Sequence, residues 1–459
     1  MEGNKGRNSF LDFVSAFCFT RASYLKVKIM IGPLEDWEKL MASPVAVLGG
    51  GVSGRGVSAL LHRLGWKFRV YDEAGIQLSP AKLRSSSLVV VSPGFRPDHP
   101  WLLLARQMKI RVLGELDFAS CFTASPITAI TGTNGKTTVA TLLHHALGKL
   151  GHITSTAGNI GLPLSQFVAD QVDLNSRILL EVSSFQSRNI SYLTPDRGIW
   201  TNFAEDHLDY HGTMEDYFVS KLSLLQRCKG EIFVGKSVLA WANRFSLNLP
   251  DSVQVISPSY QSGHSFDNEH FLGSHPQREN YALALAYGGS LGIPEEEFFL
   301  ACQDYKAEPH RLAKIHQIDE ISFWNDSKAT NFDAVIAACN SMRGPIFWIG
   351  GGQSKGVMMD EFSRELSQYI SKAFVLGDVG EEMTAKINAF GTTASQCFSL
   401  KEAVESAFNE ANGRVSILLS PGFSSFDQFR NFEERGETFN RCVQELKKRF
   451  ATSTQELLY

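Results

Sequence analysis

In 459 residues, 44 Lys and Arg stand against 48 Asp and Glu, a formal net charge of −4, so no global positive field exists to hold a nucleic-acid backbone. At roughly 150 residues per domain this length implies about three domains and excludes a single small binding module. Hydrophobic residues at 43% and charged residues at 20% exclude a disordered, collagen-like or coiled-coil chain.

Residues 1–40 read as a poorly packed N-terminal extension. Its apolar run from Phe10 to Thr20 follows Lys5 and Arg7 but is broken by Asp12 and too short to span a bilayer. From Pro44 the pattern is strand, glycine loop, helix, strand. Strands are predicted at Val45–Leu48, Phe68–Tyr71 and Leu88–Val91, the first ending in a GxGxxG of Gly49, Gly51 and Gly54. Asp72 and Glu73 close the second strand about where a dinucleotide-binding unit carries an acidic residue for a ribose, and Ser92 follows the third. Nucleotide binding and a tight turn that merely needs glycine both fit this loop.

A second unit opens with the strand Ile127–Ile130, the loop Gly132-Thr133-Asn134-Gly135-Lys136-Thr137-Thr138 and a helix over Val139–Leu150. Backbone N–H groups at a helix start favour phosphate, Lys136 can reach the β and γ phosphates, and the Thr137 hydroxyl can hold Mg²⁺. The sequence is TGTNGKT rather than GxxxxGK[ST], but a chance surface turn needs none of these residues between a buried strand and a helix. Further strands are predicted at Ile178–Val182, Gly198–Asn202 and Glu231–Val234. Residues 250–274 read as loops or short strands, with a helix over Arg278–Gly292. A third unit, with apolar runs at Ile321–Trp324, Ile346–Gly350, Ala373–Leu376 and Val415–Leu419, predicts another doubly wound sheet. The class is therefore α/β, with three units at 41–123, 124–305 and 306–459. Seven singly spaced cysteines, an odd number, read as reduced thiols of a cytoplasmic protein.

TGTNGKTT resembles the ATP loop of the Mur ligases and of their relative folylpolyglutamate synthase, and the resemblance runs from about Pro44 to the C-terminus. It implies a Rossmann-like first domain, a central P-loop ATPase-type domain and a C-terminal Rossmann-like domain. The implied chemistry is one in which ATP phosphorylates a carboxylate and an amine attacks the acyl phosphate. Glu181, ending ILLEVSSFQ, is then a hard oxygen ligand for Mg²⁺, of which two ions are implied. His207 in TNFAEDHLDYHG corresponds to the family's metal-binding histidine, while His211 reads as an ordinary buried or surface residue.

Lys221, fourteen residues after His207, resembles the lysine that many members carbamylate. An ammonium repels Mg²⁺, whereas added CO₂ turns it into a carboxylate. Asn159 in AGNIGLP resembles a contact to substrate or intermediate, Asn280 an adenine contact, and Arg311 in EPHRL the arginine that reaches the ATP phosphates.

NDSKATN, residues 325–331, resembles the D-glutamate-adding branch, and the DYAH and DNPR segments of the lysine- or diaminopimelate-adding branch are missing. Asp326 and Lys328 are implied to serve ATP and the transferring phosphate. Thr330, Lys355, Ser425 and Phe432 are implied to serve the amino acid, with Gly51, Ser53, Gly54, Asp72, Glu73, Ser92 and Asn159 on the UDP-sugar side. The expected substrates are UDP-MurNAc-L-Ala and D-Glu, handled by a monomer with no membrane or nucleic-acid partner. Two rivals remain. A folylpolyglutamate synthase-like ligase does not need the first unit, and a P-loop regulatory protein has no use for Lys221 or a cationic third unit.

Overall fold

The computed structural model describes residues 43–170, 176–188, 190–258, 264–267, 270–354 and 359–456, with side chains up to 450. The extension and the Phe10–Thr20 run lie outside these residues, as does Cys18. The other six cysteines are free thiols.

Three sheets follow one another along the chain. The first holds β1 (Val45–Leu48), β2 (Phe68–Tyr71), β3 (Leu88–Val91) and β4 (Val112–Gly114), parallel in the order β2-β1-β3-β4. Both faces of β1 and β3 are buried, as continuous Val and Leu runs demand. The second sheet holds β5 (Ile127–Thr131), β6 (Thr154–Gly158), β7 (Arg177–Glu181), β8 (Arg197–Trp200), β9 (Ile232–Gly235) and β10 (Val253–Ile256). It too is all parallel, in the order β10-β9-β8-β5-β7-β6. The chain leaves β5 toward β6 and β7 on one side and returns to β8 on the other, so β5 borders a switch point where a crevice opens at the carboxyl ends. The loops after β5, β7 and β8 meet there.

The third sheet holds β11 (Ala313–Ile318), β12 (Ile321–Asn325), β13 (Ile346–Gly351), β14 (Lys372–Leu376), β15 (Thr393–Gln396) and β16 (Val415–Gly422), in the order β11-β12-β16-β13-β14-β15. All pairs are parallel except β11 with β12. The sheet expected to be doubly wound therefore carries one antiparallel edge. Only Asp319 and Glu320 separate β11 from β12, far too few residues for a parallel crossover.

The first two units share one apolar core, in which Val47, Leu60, Leu116 and Phe118 pack with Ala157, Leu164, Phe167 and Leu193. Two buried carboxylates pin the same boundary. Glu115 accepts from Ser165 N at 2.6 Å, and Asp117 accepts from the backbone N–H of Ser191, Tyr192 and Leu193. The apolar clusters of the third unit contain only residues from 312 onward. That unit meets the central one through polar side chains, described below.

Candidate active site

The loop Gly132–Gly135 ends in the helix Lys136–Lys149, whose Val139, Ala140, Leu143, Ala146 and Leu147 are buried at helical spacing. Gly135 caps it at φ +78°, and a Cβ there would stand 2.3 Å from Asn280 Oδ1, so only glycine lets the loop close against that side chain. Asn280 in turn donates to Gln277 Oε1 at 2.8 Å. Lys136 folds back over the loop, donating to the carbonyls of Gly132 (2.8 Å) and Thr133 (2.7 Å). Thr133 meets the Tyr217 hydroxyl at 3.2 Å, and Thr138 is buried on the first turn.

Glu181, at the end of β7, receives Thr137 Oγ1 on one carboxylate oxygen and Asn159 Nδ2 on the other, both at 2.8 Å. Thr137, Glu181 and Asn159, drawn from three separate segments, thus form one constellation. Lys221 sits two turns into the helix Met214–Leu225, which Thr213 caps by accepting from Asp216 N. It is 1% exposed, donates to Gly132 O at 2.8 Å and lies 4.8 Å from the Tyr217 ring centroid. Burial above all, reinforced by the Lys136 charge and opposed by Asp206 and Glu181, holds its pKa well below the ordinary lysine range. Burial likewise lowers Lys136, with Arg311 adding to the effect and Glu181 and Asp206 opposing it.

Lys328 is lowered to about 8, mainly by burial, with Arg311 and Lys136 contributing. Lys136 and Lys221 thus lie near both Glu181 and Asp206, Lys328 lies near Glu181, and Arg311 stands beside Lys136 and Lys328, a gathering of basic side chains suited to a polyphosphate. His207 begins the short helix Leu208–His211 at φ +55°, 3.5 Å from the Asp206 carboxylate and beside the Phe185 ring. Among the described residues no three His, Cys, Asp or Glu side chains form a metal cluster. His211 is buried, donates to or accepts from Ser184 Oγ at 2.9 Å, and is pushed down to about 4 chiefly by burial.

Asp326 is engaged by the protein's own groups. Its oxygens accept from Leu312 N (3.0 Å) and Ser420 Oγ (2.8 Å), so it fixes the backbone beside Arg311 and ties β12 to β16. Burial raises it to about 7. Lys328 lies 3.7 Å from the centroid of Phe432, which opens the C-terminal helix. Ser425 is buried and Thr330 half-buried at the same end of the third sheet, and Lys355 lies outside the described residues.

Sequence reasoning missed Arg435, 2% exposed. Its guanidinium donates to Ser327 Oγ, Ser327 O and Phe423 O, riveting the NDSKATN loop to the loop after β16. Its position in FEERGE looks like an ordinary exposed helix face, and no local signal distinguishes it. Asn331 was missed as well. Its Nδ2 reaches Asn134 Oδ1 (3.0 Å) and Asp206 Oδ2 (3.1 Å).

The first-sheet residues form a separate group. Gly51 caps the helix Val52–Arg63 with open space where a Cβ would stand, and Ser53 is half-buried on its first turn. A Cβ on Gly54 would meet Gly49 O at 1.8 Å, which requires glycine for packing alone. Asp72 is turned to the protein's own loop, accepting from Gly50 N at 2.6 Å and Ala74 N at 3.0 Å, and these bonds lower its pKa. Glu73 pairs with His99 at 2.9 Å on the surface. Ser92 lines a pocket with Phe95, Glu115, Phe185 and Gln186, where the first and central units meet.

Two family models match the chain, the Mur ligase middle domain over residues 130–293 and the Mur ligase glutamate ligase domain over residues 310–423. The chain is 31% identical over 444 residues to a UDP-N-acetylmuramoylalanine–D-glutamate ligase of Synechocystis, covering 86% of this chain and 98% of that one. Among solved structures, the UDP-N-acetylmuramate–alanine ligase of Thermotoga maritima aligns at a TM-score of 0.56 and 16% identity over 88% of this chain and 99% of that one. Folylpolyglutamate synthase of Mycobacterium tuberculosis, complexed with ADP, aligns at 0.51 and 15% identity over 67% of this chain and 90% of that one. A glycine-Lys-Thr loop at the switch point of the central sheet, a carboxylate from the adjoining strand and matched middle and C-terminal models together place the chain in the Mur ligase family.

Proposed function

We propose that the chain is an ATP-dependent ligase that joins D-glutamate to UDP-N-acetylmuramoyl-L-alanine in the cytoplasm, acting as a monomer in the synthesis of peptidoglycan precursor. The observation that carries it is the convergence of Lys136, Arg311 and Lys328 from two units on one triphosphate-type loop facing Glu181. Residues 41–123 are assigned to the UDP-sugar, 124–305 to ATP and 306–459 to the amino acid.

The Thr137 hydroxyl and the Glu181 carboxylate are both hard oxygen donors and already adjoin, a set that fits Mg²⁺. When bound, Mg²⁺ neutralises charge on the phosphate oxygens. Gly132–Thr138 N–H groups and Lys136 hold the β and γ phosphates, with Arg311 as a second cationic clamp. Asn159, already fixed on Glu181, orients the acceptor carboxylate toward the γ phosphate. A carboxylate oxygen attacks the γ phosphorus and ADP leaves, giving an acyl phosphate; the neutral amine of D-glutamate then adds to its carbonyl carbon and loses a proton, and the tetrahedral intermediate expels inorganic phosphate as the amide closes. Thr330, Ser425 and Phe432 hold the amino acid while Lys328 faces the transferring phosphate, and Arg435 keeps their two loops in register. Lys221 and His207 complete the site, Lys221 as a carbamate. A lowered amine pKa favours that reaction because the neutral amine is what combines with CO₂.

Measuring phosphate release with MgATP and UDP-N-acetylmuramoyl-L-alanine while varying the amino acid tests the proposal. D-Glu should support turnover, and L-Glu, L-Lys and diaminopimelate should not. Turnover with a folate acceptor and L-Glu would favour the folylpolyglutamate reading. Against that reading stands the complete first unit with its four-stranded sheet, which a folate ligase would not need.

A further inference from the structure

The amide of Asn331 has every hydrogen-bonding position filled. Its oxygen accepts from Ala334 N (2.9 Å), capping the helix Phe332–Ser341, and from Asn134 Nδ2 (3.2 Å). Its two N–H groups go to Asn134 Oδ1 (3.0 Å) and Asp206 Oδ2 (3.1 Å). A backbone N–H can only donate and an ionised carboxylate can only accept, so the orientation of the amide is fixed by its partners. The second N–H of Asn134 goes to Asp333 Oδ2 at 3.0 Å.

These partners sit at sensitive places. Asn134 lies inside the loop that Lys136 folds over, its backbone N–H held by Asn202 Oδ1 at 2.8 Å. Asp206 immediately precedes His207 and lies 3.5 Å from its ring nitrogen. Asn331 itself ends the segment that carries Lys328 and Thr330. One buried side chain, 8% exposed, therefore touches both polar arms of the central crevice from the unit that presents the attacking amine.

Resting on the functional reading above, we propose that Asn331 is a positioning residue. It latches the third unit onto the triphosphate loop and the Asp206–His207 turn, and so sets the distance between amine and acyl phosphate. No apolar cluster spans this boundary among the described residues, so the seam relies on such polar contacts. A shift of about 1 Å between reacting groups is enough to reduce turnover on the order of a hundredfold.

Asn331→Ser and Asn331→Asp separate the latch from the helix cap, since Ser and Asp cap a helix about as well as Asn. Serine is too short to span to Asn134 and Asp206, and aspartate faces Asp206 and Asp333 with like charge. In the full chain, both variants should melt within a few degrees of wild type and keep KM for ATP within threefold. Their kcat for phosphate release should fall tenfold or more, further for Asp than for Ser. Small-angle X-ray scattering with Mg²⁺ and a non-hydrolysable ATP analogue should show a larger radius of gyration for Asn331→Asp. Wild-type kcat in both variants, or a lowered kcat with unchanged scattering, would overturn the latch. If wild type itself releases no phosphate, the functional reading fails. Scattering then decides the latch alone, an expanded Asn331→Asp supporting it and an unchanged radius overturning it.

Discussion

Replacing Lys221 by methionine should make the protein more stable and nearly inactive. The ammonium and that of Lys136 both lie 2.8 Å from Gly132 O, which holds them within about 5.6 Å of each other. At that separation two like charges repel by about 3 kcal/mol at an effective dielectric of about 20. Methionine, of similar length, removes this repulsion together with the burial penalty of the ammonium; because the wild-type chain escapes part of both costs by giving up the proton, about 5 kcal/mol in all is recovered. It forfeits a charged hydrogen bond of about 2 kcal/mol and a contact with the Tyr217 ring of about 1 kcal/mol. Gly132 O is not orphaned, because Lys136 still donates to it. The balance favours the variant by on the order of 2 kcal/mol, a rise in Tm of about 4–8 °C.

A pH series sharpens the test. The Lys221 pKa lies well below 10.5 in the folded chain, so between that depressed value and 10.5 the unfolded chain binds a proton that the folded one lacks. Wild-type stability must then climb with pH across this window, and Lys221→Met should flatten the climb. Thermal melts from pH 7 to 10, paired with phosphate release at pH 8, read both effects. A Tm below wild type would refute the burial argument. Retention of more than a tenth of wild-type turnover would refute the catalytic role.

Asp326, raised to about 7, keeps its proton in the folded chain while the unfolded chain has released its own above about 3.8, so this group lowers stability as pH rises through that window. Asp326→Asn should flatten the decline, and urea midpoints at pH 5 and 8 that keep the wild-type difference would count against it. Thr137→Val removes the hydroxyl that adjoins Glu181 and should raise the Mg²⁺ concentration for half-maximal turnover at least tenfold, while an unchanged titration would exclude that donor. Gly54→Ala should destabilise the first unit by about 3 kcal/mol or more, because its Cβ would overlap Gly49 O, whereas Gly51→Ala meets open space and should cost no more than about 1 kcal/mol, the loss of a glycine N-cap. Calorimetry scans of the two variants distinguish these outcomes.

The interior strands β1, β3, β5, β7, β8, β9, β13, β14 and β16 were legible because burial on both faces writes apolar runs into the sequence, and the half-buried β12 because its Ile, Phe and Trp still mark it. The strands without a predicted counterpart, β4, β6, β11 and β15, together with β10, sited only as loop or short strand, all lie at sheet edges. There one side needs no burial, and segments such as TSTAG and TASQ carry too few apolar residues to announce themselves. The phosphate loop was readable since its parts lie within seven residues. The bond from Gly50 N–H to Asp72 was not, because an acid that ends a strand carries no local sign of which backbone group it accepts from. Arg435 and Asn331 act over more than a hundred residues of separation, where no spacing rule reaches.

The contrast between the two seams of the molecule bears on how such a chain can diversify. An interdigitated hydrocarbon boundary such as that between the first two units constrains the volume of every residue on both sides, so either partner can change only in concert with the other. A boundary made of a few amide and carboxylate contacts asks for little more than correctly aimed donors and acceptors. On the assignment proposed above, a third unit with a different pocket needs to keep only such contacts, among them those of the Asn that opens one of its helices, to seat on the same central unit. Specificity for the incoming amine can therefore drift while the half that activates the carboxylate stays under tight packing constraint.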